Sequence, residues 1–208
     1  RKTPLLRPAP GGESCEAGFF FIHGNGGSVM TEKAEKGKGE FVILPCTEKD
    51  IPGILKIVEE AENTLEHREW YVTDGEDFFA AHMEREGFVL KAEERQTGRM
   101  AGFLAVRIPG ESRDNLGRFL GLTEADLLRT AHMESAAVAS AFRGHGLQGR
   151  MMAEAERMLR ERGFSWLMGT VHPENIYSRN HFLKLGYEAA VRTEMYGGLP
   201  REIMVKKL

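Results

Sequence analysis

The sequence has very little cysteine. Its two cysteines, Cys15 and Cys46, form no Cys-x-x-Cys pair and no Cys/His pair with the spacing of a metal site. Two cysteines in a chain of 208 residues also make no disulfide framework, which is typical of proteins from a reducing compartment. We therefore expect a cytoplasmic protein without a metal site.

The sequence also lacks a basic excess and long apolar runs. Its 28 basic and 31 acidic residues give a formal net charge of −3, whereas general binding to nucleic acid or to membrane surfaces depends on an excess of basic residues. The apolar run Phe19–Ile22 is far shorter than the roughly 20 residues of a membrane span, and shorter than the core of a signal peptide. We expect neither a nucleic acid nor a membrane as partner.

Composition divides the chain near residue 40. Residues 1–40 are rich in Gly, Pro and Lys and follow no helical or strand period, so they are interpreted as an extension rather than a second core. The missing initiator Met leaves open whether part of this extension is upstream or vector-derived sequence. Residues 41–208 are long enough for one domain with a substantial core.

A predicted strand, a glycine-rich loop and a predicted helix follow one another in the middle of the chain. The small, apolar stretch Met133–Ala139 is typical of a buried strand, and apolar residues recur at helical spacing from Leu147 onward. Three glycines lie at this corner: Gly144, Gly146 and Gly149. Exposed backbone and the unpaired N–H groups of a first helical turn make an anion site, although the same glycines would suit a flexible connection.

The residues around these glycines resemble the cofactor signature of the GNAT acetyltransferase superfamily, (Arg/Gln)-x-x-Gly-x-(Gly/Ala). Arg143 and Gly146 match it, Gln148 stands where the family prefers Gly or Ala, and the acidic residue that a dinucleotide fingerprint needs about 20 residues further on is absent. The resemblance implies that the loop wraps the pyrophosphate of acetyl-CoA as co-substrate. The residues implied in this contact are Ala137, Val138, Arg143, Gly144, His145, Gly146, Leu147, Gln148 and Gly149.

The stretch from His172 to Tyr187 is similar to a second signature of the same superfamily. By that resemblance Asn175 binds the pantetheine arm of the cofactor, Ser178 lines the arm, and Lys-Leu-Gly-Tyr closes the helix. In many members a Tyr four residues before the glycine of that ending protonates the departing thiolate, but here the position is Phe182, which we expect to pack against pantetheine.

The order of predicted elements agrees with this family. It runs from a strand at Phe41–Leu44 through a helix at 50–63, a helix at 76–86 capped by Asp74, and a hairpin of 88–92 with 100–108. After the glycine loop and its helix come a strand at 166–171, a helix at 177–185 and a final hairpin across Gly197-Gly198. The resemblance implies an α/β (α+β) GNAT fold: a mixed, mostly antiparallel sheet of six to seven strands flanked by helices, with a splayed strand pair after the phosphate-loop strand.

The segment 109–130 is not needed by the minimal fold. Thr123 and Asp126 resemble a capping box, so we predict a short helix over 123–129. Two interpretations remain open: a connection that packs on the core, or a wall of the acceptor pocket.

Acetyl transfer to an amine needs a held donor, an amine without its proton, and hydrogen bonds for the oxygen that gains charge. The resemblance places the backbone donor for that oxygen at Val138 or its neighbour. Glu134 is the carboxylate of this strand, and strict alternation puts its side chain on the same face as that of Val138. We predict Glu134 as base or ammonium ligand, with a structural network as the alternative. His132 is the second candidate, because histidine titrates near neutral pH.

The general acid is missing from its usual place at Phe182. A simple thiol has a pKa of about 8.5, so its thiolate can leave near neutral pH with little assistance. Tyr177 and Tyr187 are the nearby phenols, and either could substitute only in an unusual geometry.

These observations favour an acetyl-CoA-dependent N-acetyltransferase that acts on a primary amine of a small molecule or a peptide. A catalytically silent acyl-CoA-binding module is the alternative, motivated by Phe182 and Gln148, and a domain for another nucleotide is a third interpretation. C-terminal strands often pair between subunits in this superfamily, which makes a homodimer conceivable.

Overall fold

The computed structural model describes residues 40–64, 70 and 75–208. It contains seven strands: Phe41–Pro45 (β1), Gly87–Glu94 (β2), Met100–Arg107 (β3), Thr130–Val138 (β4), Trp166–Val171 (β5), Glu188–Met195 (β6) and Leu199–Lys207 (β7). Its α-helices are Ile51–Asn63 (α1), Glu76–Ala81 (α2), Glu124–Leu127 (α3), Leu147–Glu161 (α4) and Ile176–Lys184 (α5). The predicted extension 1–40, apart from Glu40, lies outside the described residues.

The strands form one sheet in the order β1-β2-β3-β4-β5-β7-β6. Neighbouring strands are antiparallel, except that β4 and β5 are parallel. Adjacent residues of β4 face opposite sides of the sheet: Ala136 packs in the core cluster that contains residues of α4, and Ala137 packs in the cluster that contains residues of α1 and α2. The predicted fold class is confirmed.

The start of α1 shows why this segment is helical. Thr47 and Asp50 form a capping box, with the Thr47 backbone N–H donating to Asp50 Oδ2 over 2.9 Å. Asp50 also accepts a hydrogen bond from Lys91 Nζ of β2 at 2.8 Å, which ties the helix start to the sheet. Burial alone would raise the pKa of Asp50, but these hydrogen bonds bring it below its usual range.

The second predicted helix is confirmed over Glu76–Ala81 and continues as one π-helical turn, His82–Glu86. Its predicted cap, Asp74, lies outside the described residues. The turn ends at Gly87, where a Cβ would come within 1.8 Å of the Val106 carbonyl oxygen of the neighbouring strand. Only glycine allows β2 to begin this close to β3.

Strands β4 and β5 separate after three paired residues. The pairing joins Thr130–His132 of β4 to Trp166–Met168 of β5, and no later residue of either strand belongs to it. Beyond this point β4 stays paired with β3 as far as Val138, and β5 stays paired with β7 as far as Val171. The predicted splayed pair is therefore present, and a gap opens between the two strands.

The segment before β4 contains the predicted short helix and packs on the core. Thr123 Oγ1 accepts from the Asp126 N–H at 3.2 Å and donates to Asp126 Oδ2 at 2.8 Å. Asp126 thus bonds the Thr123 hydroxyl rather than its backbone N–H. Leu116, in a 3₁₀ turn of the same segment, packs against Met168 and Ile203 of the sheet.

Candidate functional site

The glycine loop leads from β4 into the first turn of α4. Gly144 and Gly146 have φ angles of +83° and +65°, which an L side chain rarely adopts. A Cβ at either position would meet no protein atom within 4 Å, so open space lies in front of both. The loop therefore exposes its backbone beside the N-terminus of a 15-residue helix, where N–H groups favour an anion.

Arg143, at the entrance of this loop, has buried donors that lack an acceptor. Its Nε and Nη2 atoms find no hydrogen-bond partner among the described residues. Burial lowers the pKa of Arg143, and the charge of Glu60 opposes this shift in part. Unsatisfied buried donors cost about 1–3 kcal/mol each, so a bound anion here would remove a penalty. The loop thus fits the pyrophosphate that the sequence predicts.

The other predicted loop side chains face the protein. His145 Nδ1–H donates to the carbonyl oxygens of Phe142 and Arg143, at 3.1 and 3.2 Å. Leu147 and Gln148 are buried, and a Cβ at Gly149 would touch His181 at an ordinary 3.7 Å. These four residues can offer a ligand their backbone, whereas the side chains of His145, Leu147 and Gln148 pack against the protein.

Asn175 and Ser178, the residues predicted to contact the arm of the cofactor, lie together at the start of α5. Asn175 Oδ1 accepts the Ser178 N–H at 3.0 Å and caps the helix. The Asn175 Nδ2 and Ser178 Oγ atoms are buried and have no partner among the described residues. Two orphaned polar groups side by side fit the amide-bearing arm that the resemblance implies.

Phe182 is not placed where it could pack on such an arm. Its ring is 0 % exposed and meets the ring of Tyr187 edge to face, with the centroids 4.8 Å apart. Phe182 therefore belongs to the core beneath β5, and its predicted contact with pantetheine would require this buried ring to become accessible. Tyr187 is 3 % exposed, and burial raises its pKa, which excludes it as an accessible acid.

The edge of β4 that faces the gap carries the predicted backbone donor. The Ala139 N–H donates to the Ala101 carbonyl of the β3 side at 2.9 Å. Because successive N–H groups of a strand point to opposite edges, the Val138 N–H points away from β3 and into the gap. The Ala137 side chain packs toward α1 and α2 instead.

A β-bulge at Glu134 changes which face its side chain occupies. The β3–β4 register shifts between Ala105 and Val106, and Glu134 has no Cα partner on β3. As a result Met133 and Val138 both pack in the cluster that contains α4, while Glu134 alternates with Met133 and lies on the other face. The prediction that Glu134 and Val138 share a face is wrong, because strict alternation does not hold across a bulge.

Glu134 is held by His132. The Leu116 backbone N–H donates to His132 Nε2 at 3.1 Å, so Nε2 carries no proton and the neutral ring carries its proton on Nδ1. Nδ1 lies 3.5 Å from Glu134 Oε2, and both side chains are buried. The Nε2 lone pair of His132 thus already accepts a hydrogen bond, and its Nδ1 atom faces the Glu134 carboxylate.

Glu134 opens onto a crevice that the sequence did not reveal. Four of its walls come from other elements: Arg107 of β3, Asp114 of the segment before β4, Thr170 of β5 and Tyr196 of the last hairpin. Arg107 and Asp114 form a two-point ion pair at 2.7 and 3.1 Å. Asp114 and Leu116 show that segment 109–130 both packs on the core and walls this crevice. No local sequence pattern predicted that these particular residues line one crevice.

Trp70 stacks on His172, with ring centroids 5.8 Å apart. Within the described ranges, no group of three or more His, Cys, Asp or Glu side chains could hold a metal ion. No helix among these residues is long and apolar enough to cross a membrane.

Comparison with known proteins points in one direction. The Acetyltransferase (GNAT) family matches residues 52–187. No curated protein matches the chain. A ribosomal-protein-alanine N-acetyltransferase from Brucella melitensis is similar in structure, with a TM-score of 0.59 and 24% identity over 80% of this chain and 99% of that one. An N-acetyltransferase from Staphylococcus aureus has a TM-score of 0.59 and 18% identity over 80% and 98% of the two chains. A Salmonella typhimurium structure with acetyl-CoA as its cofactor has a TM-score of 0.57 and 18% identity over 80% and 93%.

Proposed function

Because the chain belongs to the GNAT acetyltransferase family, we propose that it transfers the acetyl group of acetyl-CoA to a primary amine of a small molecule or a peptide, with Glu134 as the base. Family membership carries the general reaction, acetyl transfer from acetyl-CoA. The acceptor class and the residue roles are the proposed part. A peptide amine is among the acceptors considered because the Brucella relative is named for a ribosomal-protein alanine.

The observation that carries the proposal is the gap between β4 and β5. It opens beyond the pair His132–Met168 and has the glycine loop at one end. Bound acetyl-CoA would supply an activated acetyl thioester. Arg143 and the first turn of α4 would hold its pyrophosphate, and the orphaned Asn175 Nδ2 and Ser178 Oγ would bind its arm.

The chemistry assigned to the protein's own groups is modest. The Val138 N–H, which faces the gap, stabilises the negative charge that grows on the acetyl oxygen. Glu134 accepts a proton from the acceptor amine in the crevice, and the Nδ1–H of His132 keeps its carboxylate in one orientation. Because the bulge turns Glu134 to the other face, the acceptor enters from the α2 side of the sheet and the donor from the glycine loop.

A catalytically silent acyl-CoA-binding module is the second candidate, and one observation favours it. Position 182, where many family members carry the acid, is a fully buried phenylalanine. Such a module would bind acetyl-CoA through the same loop without turning over an amine.

Release of free CoA thiol from acetyl-CoA tests the proposal. The chain is incubated with a panel of amino acids, polyamines and peptides that begin with alanine, and its melting temperature is measured with and without CoA. We expect CoA to raise the melting temperature and at least one amine to release thiol above the amine-free rate. Stabilisation by CoA without release on any amine supports the silent module, and stabilisation by another nucleotide but not by CoA contradicts both candidates.

A further inference from the structure

The last hairpin places a phenol in the crevice of Glu134. Tyr196 is the tyrosine among the described residues that lines this crevice, whereas Tyr177 is 47% exposed on the first turn of α5 and Tyr187 is buried in the core. A departing thiolate benefits from a proton donor, and Phe182 cannot be that donor. Tyr196 is therefore placed where it could supply the proton donor that position 182 lacks.

The backbone of Tyr196 is held in an unfavourable conformation. Its φ angle is +54°, and it is the non-glycine residue with positive φ in the described part of the chain. A bulky residue in this region is uncommon and costs free energy, and such residues cluster at functional sites. Gly197 and Gly198 follow with positive φ, so the turn could have placed a glycine at this position without that cost.

Two contacts fix the phenol. Its hydroxyl lies 3.1 Å from Thr170 Oγ1 of β5, and the guanidinium of the buried Arg201 lies 5.0 Å from the ring centroid. The hydrogen bond between the two hydroxyls orients the phenol, and a nearby positive charge favours a phenolate. The phenol is therefore anchored by its oxygen and its ring face at the wall of the crevice.

Tyr196 and Phe182 contact two consecutive residues of β5 from opposite faces of the sheet. A Cβ at Gly169 would come within 2.8 Å of Phe182 Cζ. Gly169 and Thr170 are consecutive residues of β5, both line the crevice, and Thr170 holds Tyr196. The ring of Phe182 and the phenol of Tyr196 thus contact neighbouring residues of β5 at the edge of the gap.

We propose that Tyr196 is the catalytic acid of this site and delivers its proton to the departing sulfur, with Thr170 and Arg201 as positioning residues. This inference rests on the proposed function. An acceptor ammonium loses one proton to Glu134 and then attacks, so the carbon–nitrogen bond forms and the carbon–sulfur bond breaks. Tyr196 gives its proton to sulfur and is reprotonated by the second proton that leaves nitrogen. The products are the amide, the CoA thiol and one proton released through Glu134 to solvent.

The first test reads the CoA complex without any acceptor. A phenol that donates to sulfur stabilises the thiolate of bound CoA, which the ultraviolet absorbance of the thiolate reports as pH is raised. Since a hydrogen bond to a charged group is worth more than one to a neutral group, Tyr196→Phe should lower the thiolate fraction of bound CoA about 10-fold at a given pH below the thiol pKa. Tyr177→Phe is the matched control and should titrate like the parent.

The second test uses turnover. Tyr196→Phe should lower kcat on the order of 10²- to 10⁴-fold and leave the acceptor KM within about twofold. Thr170→Val keeps the phenol but removes its hydrogen-bond partner. It should lower kcat and the thiolate fraction of bound CoA in the same direction by a smaller factor. An unchanged thiol titration in Tyr196→Phe overturns the proposal, as does a raised acceptor KM at the parental kcat, which marks an acceptor-binding residue. If no amine of the panel makes the parent release thiol above the amine-free rate, the proposed function fails, and the CoA titration still decides whether Tyr196 donates to sulfur.

Discussion

At the scale of single residues, Glu134 shows how local backbone geometry sets chemistry. An unpaired carboxylate in an apolar strand is costly, but the bulge places Glu134 beside the Nδ1–H of His132 and at the edge of the crevice. His82 senses this carboxylate: burial lowers the pKa of His82, while its hydrogen bond to Phe78 and the charge of Glu134 oppose that shift. The carboxylate thus lies between His132 and the crevice.

Glu134→Gln removes the proposed base and keeps the shape of the side chain. We expect kcat to fall on the order of 10²- to 10⁴-fold, with the largest loss at low pH, where more of the acceptor carries its proton and needs a base. The dissociation constant for CoA should not change. The measurement is a pH–rate profile, with the exposed Glu161→Gln as control. A profile for Glu134→Gln that overlays the parent would exclude Glu134 as the base.

Arg143→Ala removes the two unsatisfied donors at the mouth of the loop. A charge-assisted hydrogen bond is worth roughly 1.5–3 kcal/mol, so we expect CoA affinity to fall about 10- to 100-fold while the acceptor KM stays constant. Calorimetric titration with CoA measures the first and steady-state kinetics the second. Arg157→Ala is the control, because Arg157 lies on α4 in exposed ion pairs with Glu154 and Glu161. Unchanged CoA affinity in Arg143→Ala would contradict the role given to Arg143.

At the scale of elements, the strands and helices were largely predictable because their signals are local. Periodicity gave α1 within one residue and the first residue of α4, and the turn residues before Met100 gave the β2–β3 hairpin. The bulge at Glu134 and the π-helical turn at His82–Glu86 were not predictable in the same way. Each depends on how the segment pairs with its neighbour, which the segment's own residues do not encode.

Substitutions at two glycines of the loop distinguish backbone strain from the space that a ligand needs. Gly146→Ala places a Cβ at φ +65° and should destabilise the fold by about 1–2 kcal/mol. Gly149→Ala lies within α4, where a Cβ would make an ordinary contact, and should stabilise the helix by roughly 0.5–1 kcal/mol. We expect Gly149→Ala nevertheless to weaken CoA binding, because the ligand then meets a side chain. Chemical denaturation and CoA titration of both variants are the measurements, and parental CoA affinity in Gly149→Ala would mean that the ligand does not approach Gly149.

At the scale of the whole molecule, the two halves of the site differ in how far sequence could foresee them. The glycine loop, Asn175 and Ser178 lie within two short motifs, so the sequence predicted their positions, and the structure adds their orphaned donors. The acceptor crevice joins Arg107, Thr170 and Tyr196, residues of three elements that meet only through the sheet order. No motif spans them, so only the fold reveals that Tyr196 lies close to Glu134.

The edge strand β1 links the boundary of the domain to the site. Phe41 is buried, packs on Phe142 at 5.8 Å and on His145 at 5.2 Å, and its carbonyl accepts a hydrogen bond from Arg150 at 3.0 Å. Three residues in and beside the glycine loop thus rest on the first residue of β1. The domain must therefore include Phe41.

Truncation tests this boundary. A chain that begins at Glu40 should melt within a few degrees of the full chain and gain the same stabilisation from CoA, since β1 and its contacts with the loop are intact. A chain that begins at Cys46 loses β1 and the burial of Phe41, worth about 3–5 kcal/mol, so it should melt roughly 10 °C lower and lose most of the CoA-induced shift. Thermal melts with and without CoA compare the three chains. A large loss on removal of residues 1–39 alone would mean that the extension belongs to the folded domain, and a CoA shift that survives without β1 would mean that the loop does not depend on Phe41.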